Sequence, residues 1–192
     1  MKKETPIKNA LILCAITLVA GLLLAFFNQL TAGPIEQAQL EKQAQAYVDV
    51  YPDAASFGAV EGGEELLEGS EAQLSAAGIA NVTITDMMTA LDGSGNVIGY
   101  VLSATDSAGY GGDITVALGI DLNGTITGFS PLQHNETVGF GAKCEDESFT
   151  SQFPGLTSAD QMDGIAGATF TTGAIRDAVA GALEFVRANF LS

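Results

Sequence analysis

The chain has 192 residues, which is about one domain's worth once a leading segment is subtracted. Its 23 acidic and seven basic residues give a formal net charge of −16, which excludes binding to nucleic acid or to anionic lipid headgroups as a main function. With two cysteines and one histidine, it cannot supply a four-cysteine iron–sulfur cluster or a three-histidine metal site.

An uncharged apolar run occupies residues 10–27. In a helix that rises ~1.5 Å per residue, about 18 residues reach roughly 27 Å, close to the thickness of a bilayer's hydrocarbon. The run therefore predicts a transmembrane anchor over residues 10–30. A cleaved signal peptide is the alternative, because residues 31–33 include small side chains, but signal peptides usually have shorter apolar stretches of ~7–15 residues.

Charge is distributed unequally about this anchor. Lys2, Lys3 and Lys8 precede it, and the positive-inside rule then predicts that residues 1–9 are cytoplasmic. Beyond the anchor the chain keeps all but one of its 23 acidic residues and all but three of its seven basic residues, so its net charge is about −18. We expect a single-pass protein of the cytoplasmic (inner) membrane, with an acidic domain outside the cytoplasm. The acidic surface also serves solubility and by itself identifies no partner.

The segments after the anchor differ in composition. Residues 31–58 are rich in Gln, Glu and Ala and predict a connecting helix region. Residues 59–80 contain five glutamates within a glycine-rich stretch, which predicts a solvated acidic insertion. The remaining domain is predicted over residues 81–192.

This domain shows strand patterns first and a helical pattern last. Apolar stretches flank turn sequences at residues 92–96 and 121–124, which predicts about four antiparallel strands. Apolar residues recur at helical spacing from Gly173 to Phe190 and predict a helix that packs on the core. The expected fold class is α+β, with an N-terminal transmembrane helix followed by one domain in which helices pack on an antiparallel sheet.

The first candidate functional segment is Asp163-Gly-Ile-Ala-Gly-Ala-Thr169, just before the last helix. Its glycines permit an unusual turn, and a helix N-terminus with free amides and a favourable dipole attracts phosphate. An ordinary N-cap formed by Thr171 or Thr172 explains the same residues. From these residues alone, both interpretations stay open.

Two further glycine-rich segments run from His134 to Lys143 and from Gly109 to Gly112. Glycines allow a backbone to approach a ligand closely, although a plain loop is equally compatible. His134 is either a structural residue, a ligand contact or the base of a hydrolase, and no Gly-x-Ser-x-Gly motif supports the hydrolase. Lys143 is either a solvated surface residue or a positive charge near a ligand.

The three segments together resemble the FMN-binding domain of the family that contains the RnfG protein of the Rnf complex and the NqrC protein of the sodium-translocating NADH:quinone reductase. The first segment matches the family's flavin-attachment motif, with Ala166 where the family usually has Ser or Thr. The second is similar to its His-x-Glu-Thr-Pro-Gly-x-Gly segment, with Val138 in place of proline, and the third to its Gly-Tyr-Gly-Gly element. The resemblance extends from the anchor to the last helix.

In that family a flavin transferase, using FAD and magnesium, attaches FMN through a phosphoester to a threonine that corresponds to Thr169. Thr169 would therefore be the substrate of another enzyme, and no residue of this chain is expected to be catalytic or to bind a resident metal. The resemblance also implies contacts to the cofactor from a set of loop residues. These are Asp163, Gly167, Ala168, His134, Glu136, Thr137, Gly139, Gly141, Lys143, Tyr110 and Gly111.

The resemblance implies an electron-transfer subunit of a membrane-bound ion-translocating oxidoreductase of the Rnf type, between reduced ferredoxin and NAD. Its partners would be the other subunits of that complex, and alone it would complete no reaction. The NqrC protein of a quinone reductase is an alternative. Two other classes stay open: a membrane-tethered acidic binding module without cofactor, which would be colourless, and a flavin reductase that works without partner subunits.

Overall fold

The computed structural model of this protein describes residues 6–191. Within that range the chain forms four α-helices and five strands, in two compact units that divide after Lys42. The elements in chain order are α1 (Pro6–Val50), β1 (Ser56–Ala59), α2 (Gly63–Ala76), β2 (Val82–Leu91), β3 (Val97–Gly109), β4 (Gly112–Asp121), β5 (Ile126–Gln133), α3 (Glu147–Thr150) and α4 (Thr169–Phe190), with short 3-10 turns at Gly141–Glu145 and Ala159–Gln161.

The first unit consists of helical turns of α1. This helix is long and apolar enough to cross a membrane, with a mean hydropathy of 2.8 over its most apolar window and no buried side chain there. Leu24 and Phe26 are 72% and 61% exposed, which water would penalise and a bilayer would not. The predicted membrane-spanning helix is confirmed. Lys2 and Lys3 lie outside the described residues, so the cytoplasmic placement of residues 1–9 stays a prediction.

The second unit is built on an antiparallel sheet with strand order β1-β2-β3-β4-β5. Asp92 and Asp121 close two of the hairpins, because each carboxylate accepts hydrogen bonds from two backbone N–H groups of its turn. Both turns lie where the sequence predicts them. The sequence predicts about four strands, and the fifth is the short β1, which pairs with the edge of β2 and has too few residues for a clear alternating pattern.

Helices α2 and α4 cover one face of this sheet. The apolar side of α4, including Ile175, Val179 and Val186, is buried against strand residues such as Leu102 and Leu118. The sheet packed by helices confirms the predicted α+β class.

Helix α2 occupies the acidic segment for which the sequence predicts a solvated insertion. Its glutamates are exposed, but Ser70 and Leu74 are buried. The hydroxyl of Ser70 accepts a hydrogen bond from the backbone N–H of Ile84 at 3.2 Å. The density of glutamates and glycines hides this narrow buried face from sequence patterning.

The opposite face of the sheet packs against the last turns of α1, from Gln43 onward. The hydroxyl of Tyr47 lies 2.8 Å from Asp86 Oδ2 and 2.9 Å from Ser103 Oγ. Gly119 and Gly128 face each other on β4 and β5, and a Cβ on either would collide with the backbone of Val50. These turns are therefore an integral part of the second unit.

We expect Gly128→Ala to lower the free energy of unfolding by about 1–3 kcal/mol, because the new methyl group must displace the backbone of Val50. The measurement is thermal unfolding of the detergent-solubilised chain followed by near-ultraviolet circular dichroism. Gly69→Ala is the matched control, since a Cβ at that position of α2 has open space. Equal stability of the two variants would contradict this account of the packing.

Asp106 is a buried carboxylate on β3. Its Oδ1 accepts a hydrogen bond from the backbone N–H of Ala108 at 2.6 Å, whereas Oδ2 has no hydrogen-bond partner among the described residues. Burial raises the pKa of this carboxyl to about 6, and the nearby charges of Asp177 and Asp113 act in the same direction. The native state therefore binds this proton more tightly than the unfolded chain does.

Since the native pKa exceeds the unfolded one, the stabilising effect of this proton is complete below about pH 4 and is lost as the pH rises through about 6. We expect Asp106→Asn, which keeps an acceptor for Ala108, to stabilise the protein at pH 8 by on the order of 2 kcal/mol and to have little effect at pH 4. Unfolding at both pH values checks this. The exposed Asp53→Asn serves as the control, and a pH-independent effect of Asp106→Asn would refute the prediction.

Candidate functional site

A cavity of about 460 Å³ opens between the tip of the β3–β4 hairpin, the loop after β5 and the start of α4. The three segments singled out in the sequence meet here, although they are far apart along the chain. The residues that line the cavity are Tyr110, Glu136, Thr137, Phe140, Gly141, Gly167, Ala168, Thr169, Phe170 and Thr171.

The hairpin tip forms one wall. Gly109 pairs with Gly112 across the turn, and Gly112 has a φ of 105°, a conformation that favours glycine. The turn leaves Tyr110 72% exposed at the rim of the cavity. The sequence Gly-Tyr-Gly-Gly thus serves to present one aromatic side chain.

Glu136 connects the hairpin tip and helix α4. Its side chain is buried, at 7% exposure, and its Oε1 accepts a hydrogen bond from the backbone N–H of Gly111 at 2.9 Å. Its Oε2 accepts a hydrogen bond from the Thr171 hydroxyl at 2.5 Å. A Cβ on Gly141 would collide with both the carboxylate and that hydroxyl. The glycine therefore makes room for this bridge.

His134 lies behind Glu136 and does not line the cavity. Its Nδ1 accepts a hydrogen bond from the backbone N–H of Glu136 at 3.2 Å, so the proton of a neutral ring is on Nε2. Nε2 is 3.1 Å from Glu145 Oε1, close enough for an ion pair when the ring is protonated, although the geometry is not that of a hydrogen bond. Both nitrogens face protein atoms, which supports the structural role of His134 over that of a general base.

The loop that precedes α4 is held by two side chains. Gln152 Oε1 accepts from the backbone N–H of Asp163 at 2.6 Å, and Gln152 Nε2 donates to the Phe149 carbonyl at 2.9 Å. At the other end, Thr172 Oγ1 accepts from the backbone N–H of Ile165 at 2.9 Å. These hydrogen bonds define the conformation of the loop.

The threonines at the start of α4 have different environments. Thr169 is exposed and lines the cavity, whereas Thr171 and Thr172 are 1% and 7% exposed and their hydroxyls are engaged within the protein. The helix begins at Thr169, four residues earlier than the sequence predicts. The alternative interpretation, in which Thr171 or Thr172 is the N-cap, is therefore wrong. The N-cap residue is Ala168, which provides no side-chain hydrogen bond to the first amides.

Other predicted site residues lie beside the cavity. Lys143 and Asp163 line a second cleft of about 310 Å³, together with Gly164, Ile165 and Ala166 of the same loop. Gly111 is held by Glu136, and Gly139 shapes its turn with a φ of 83°. Glu136 is consequently the one carboxylate or ammonium group among the described residues that line the cavity.

Phe140 and Phe170 were not among the residues predicted from the sequence, yet both line the cavity and are 56% and 70% exposed. Phe170 falls outside the buried face of α4, which is a signal that patterning can detect. Phe140 lies between two glycines that the resemblance implicates. Exposed aromatic rings around a concave site suit a planar ligand.

Cys144 does not supply a reactive thiol to this site. Cys144 is fully buried, and burial, followed by the charges of Glu145 and Glu136, raises the pKa of its thiol to about 12. Such a thiol is unreactive at neutral pH.

Two family profiles match the chain: one described as an FMN-binding domain, at residues 109–184, and one described as the RnfG N-terminal region, at residues 1–50. The chain is 35% identical to the G-type subunit of the ion-translocating oxidoreductase complex of Methanosarcina acetivorans, over 90% of both chains. It is 32% identical to the G-type subunit of the Na(+)-translocating ferredoxin:NAD(+) oxidoreductase complex of Acetobacterium woodii, over 84% of this chain and 75% of that protein.

The fold is similar to that of the C-type subunit of the Na(+)-translocating NADH-quinone reductase from Parabacteroides distasonis. The TM-score is 0.51, and the match covers 81% of this chain and 95% of that one. Because the two sequences are only 18% identical, this likeness bears on the fold and not on the activity.

Proposed function

Because the chain belongs to the RnfG family of ion-translocating oxidoreductase complexes, we propose that it transfers electrons through FMN that is covalently attached to Thr169. Family membership makes it an FMN-binding electron-transfer subunit of such a complex. Family membership does not establish the covalent link or electron transfer between ferredoxin and NAD, so these two points are part of the proposal. The observation that carries the proposal is the exposed Thr169 in the first turn of α4, at the cavity.

The residues around the cavity fit FMN. The volume of about 460 Å³ lies within the range of cofactor pockets. Tyr110, Phe140 and Phe170 offer apolar ring surface for a planar isoalloxazine. The start of α4, without a side-chain cap, offers amides and a helix dipole to a phosphate group. When bound, FMN supplies the reversible uptake and release of electrons, and the protein supplies position and environment.

Thr169 is the favoured attachment point for steric reasons. Its exposure, next to the small residues Gly167 and Ala168, leaves room for a flavin transferase to reach the hydroxyl. In the proposed reaction the Thr169 oxygen would attack the FMN phosphorus of FAD, so that a phosphoester bond forms, the pyrophosphate bond breaks, AMP leaves and the hydroxyl proton passes to a base of the transferase. A threonine hydroxyl is a weak nucleophile, so the base and the magnesium come from the transferase.

The names of the relatives favour an Rnf-type complex over a quinone reductase. A relative at 32% identity is named as part of a ferredoxin:NAD(+) oxidoreductase complex, and the N-terminal profile is that of RnfG. The likeness to the quinone reductase protein bears on the fold alone. We accordingly propose the other subunits of an Rnf-type complex as partners. A cofactor-free binding module and a stand-alone reductase have no such support.

We also propose that the chain lies in the cytoplasmic membrane with its N-terminus inside. Three lysines precede the membrane-spanning segment, and nearly all acidic residues follow it. The second unit would then face outward.

For Thr169→Ala, co-expressed with a flavin transferase, we expect complete loss of covalent flavin, because no other exposed hydroxyl lies at the start of α4. Thr169→Ser keeps a hydroxyl and should retain at least part of the label. In-gel flavin fluorescence and peptide mass mapping of the denatured protein give the result. In membranes of a complex-bearing host, Thr169→Ala should abolish ferredoxin-dependent NAD reduction.

Thr157→Ala is the matched control, since Thr157 is exposed but does not line the cavity. It should be labelled like the wild type. A flavin found on Thr171 or Thr172, or a wild-type chain that stays unlabelled beside a labelled family member, would refute covalent attachment at Thr169.

For the orientation, we expect Ser94→Cys to react with a membrane-impermeant maleimide in intact spheroplasts, and Thr5→Cys to react only after lysis. Ser94 is exposed in the β2–β3 turn, and buried Cys144 provides a silent background. Cys14 is replaced by serine in both variants. The reverse labelling pattern would overturn the proposed orientation.

A further inference from the structure

We propose that Glu136 is a positioning residue: its carboxylate assembles the flavin cavity by joining the hairpin tip to the first turn of α4. This inference rests on the proposed function, and it assigns to Glu136 a role that acts through Gly111 and Thr171. The sequence resemblance implies only that Glu136 borders the flavin.

The cavity needs such a connection because its aromatic walls come from separate parts of the chain. Tyr110 belongs to the hairpin, Phe140 to the loop after β5, and Phe170 to α4. In the part of the chain that the structure describes, the side-chain hydrogen bonds between these three segments all end on the carboxylate of Glu136. In addition to the core packing of α4 on the sheet, these hydrogen bonds therefore hold the rings relative to one another.

The bridge is specific in its chemistry. Each carboxylate oxygen accepts one hydrogen bond, from Gly111 at 2.9 Å and from Thr171 at 2.5 Å, and these bonds offset part of the cost of burying the charge. Thr171 lies two residues after Thr169, so a bond to its side chain holds the turn that presents the attachment hydroxyl. His134, which accepts from the backbone N–H of Glu136, holds the other side of the bridge.

The surrounding glycines leave just enough space for the Glu136 side chain and its two hydrogen bonds. A Cβ on Gly111 would collide with the backbone carbonyl of Asn135, and a Cβ on Gly141 would collide with the Glu136 carboxylate. Both glycines belong to the segments that the sequence singles out. Their small size is explained by close packing around Glu136.

Two substitutions distinguish the role of the hydrogen bonds of Glu136 from the role of its negative charge. In Glu136→Gln, the amide oxygen can accept from Gly111 and the amide NH2 can donate to the Thr171 hydroxyl, which also accepts hydrogen bonds. The bridge then survives without the charge. In Thr171→Val, the hydroxyl is lost and the charge stays. Thr171→Ser restores the hydroxyl.

The experiment uses the full chain in detergent and compares these three variants with Glu136→Ala. For Thr171→Val and Glu136→Ala we expect about tenfold slower labelling by a flavin transferase, and lower fluorescence anisotropy and visible circular dichroism of whatever flavin is attached. Glu136→Gln and Thr171→Ser should remain within about twofold of the wild type in rate. Rescue by these conservative variants is the signature of positioning.

The matched control for Thr171→Val is Thr89→Val. The Thr89 hydroxyl donates to the Gly58 carbonyl at 3.0 Å, and Thr89 does not line the cavity. A comparable loss of melting temperature in both variants, with slow labelling only in Thr171→Val, supports the proposal. Slow labelling in both variants would show that general destabilisation causes the effect, and it would overturn the proposal.

Amide hydrogen exchange in flavin-free protein separates this proposal from the proposed function. Exchange over residues 109–112 and 169–171 should become about tenfold faster in Thr171→Val and stay unchanged in Glu136→Gln. If the wild type takes no flavin, covalent attachment fails while this exchange still tests the bridge. Unchanged exchange in Thr171→Val, or labelling of Thr171→Val at the wild-type rate, would refute the positioning role.

Discussion

The site depends on the carboxylate of Glu136 and the two hydrogen bonds that it accepts. The hairpin tip and the start of α4 belong to elements that pack together in the core, but among the described residues the side-chain hydrogen bonds between them run through Glu136. Glu136 joins them from the buried side, while Tyr110, Phe140 and Phe170 remain exposed on the open side. The polar contacts thus fix the shape of the site and leave apolar ring surface available to a ligand.

The position of Thr169, the proposed attachment residue, follows from the packing of α4. The apolar side of this helix is buried on the sheet, so its axis and rotation are set by many core contacts. In its first turn Thr169 is exposed, whereas Thr171 and Thr172 are buried. A flavin attached to Thr169 would therefore be joined to a helix that the core holds in place, which suits an electron carrier that must keep a defined distance to its neighbours.

The cavity and the surface of the domain differ in their content of charged side chains. The domain is strongly acidic, yet the described residues that line the cavity include a single carboxylate, and hydrogen bonds engage both of its oxygens. Lys143, which the resemblance implies as a positive charge near the flavin, lines the second cleft together with Asp163. Because Glu136 is buried, solvent screens its charge less than it screens the charges of the exposed glutamates of α2.

The sequence by itself determined the membrane-spanning helix, the α+β class and the three segments of the site, because apolar run length, strand and helix periodicity and glycine-rich motifs are local properties. It also identified the family, through motifs in the right order. It missed helix α2, whose buried face is narrow, and placed the start of α4 four residues late, because capping depends on tertiary contacts. Only the tertiary structure decided that Glu136 bridges Gly111 and Thr171, that Lys143 lies beside the cavity and that two phenylalanines complete its walls, since these facts join residues whose distance in space no local pattern encodes.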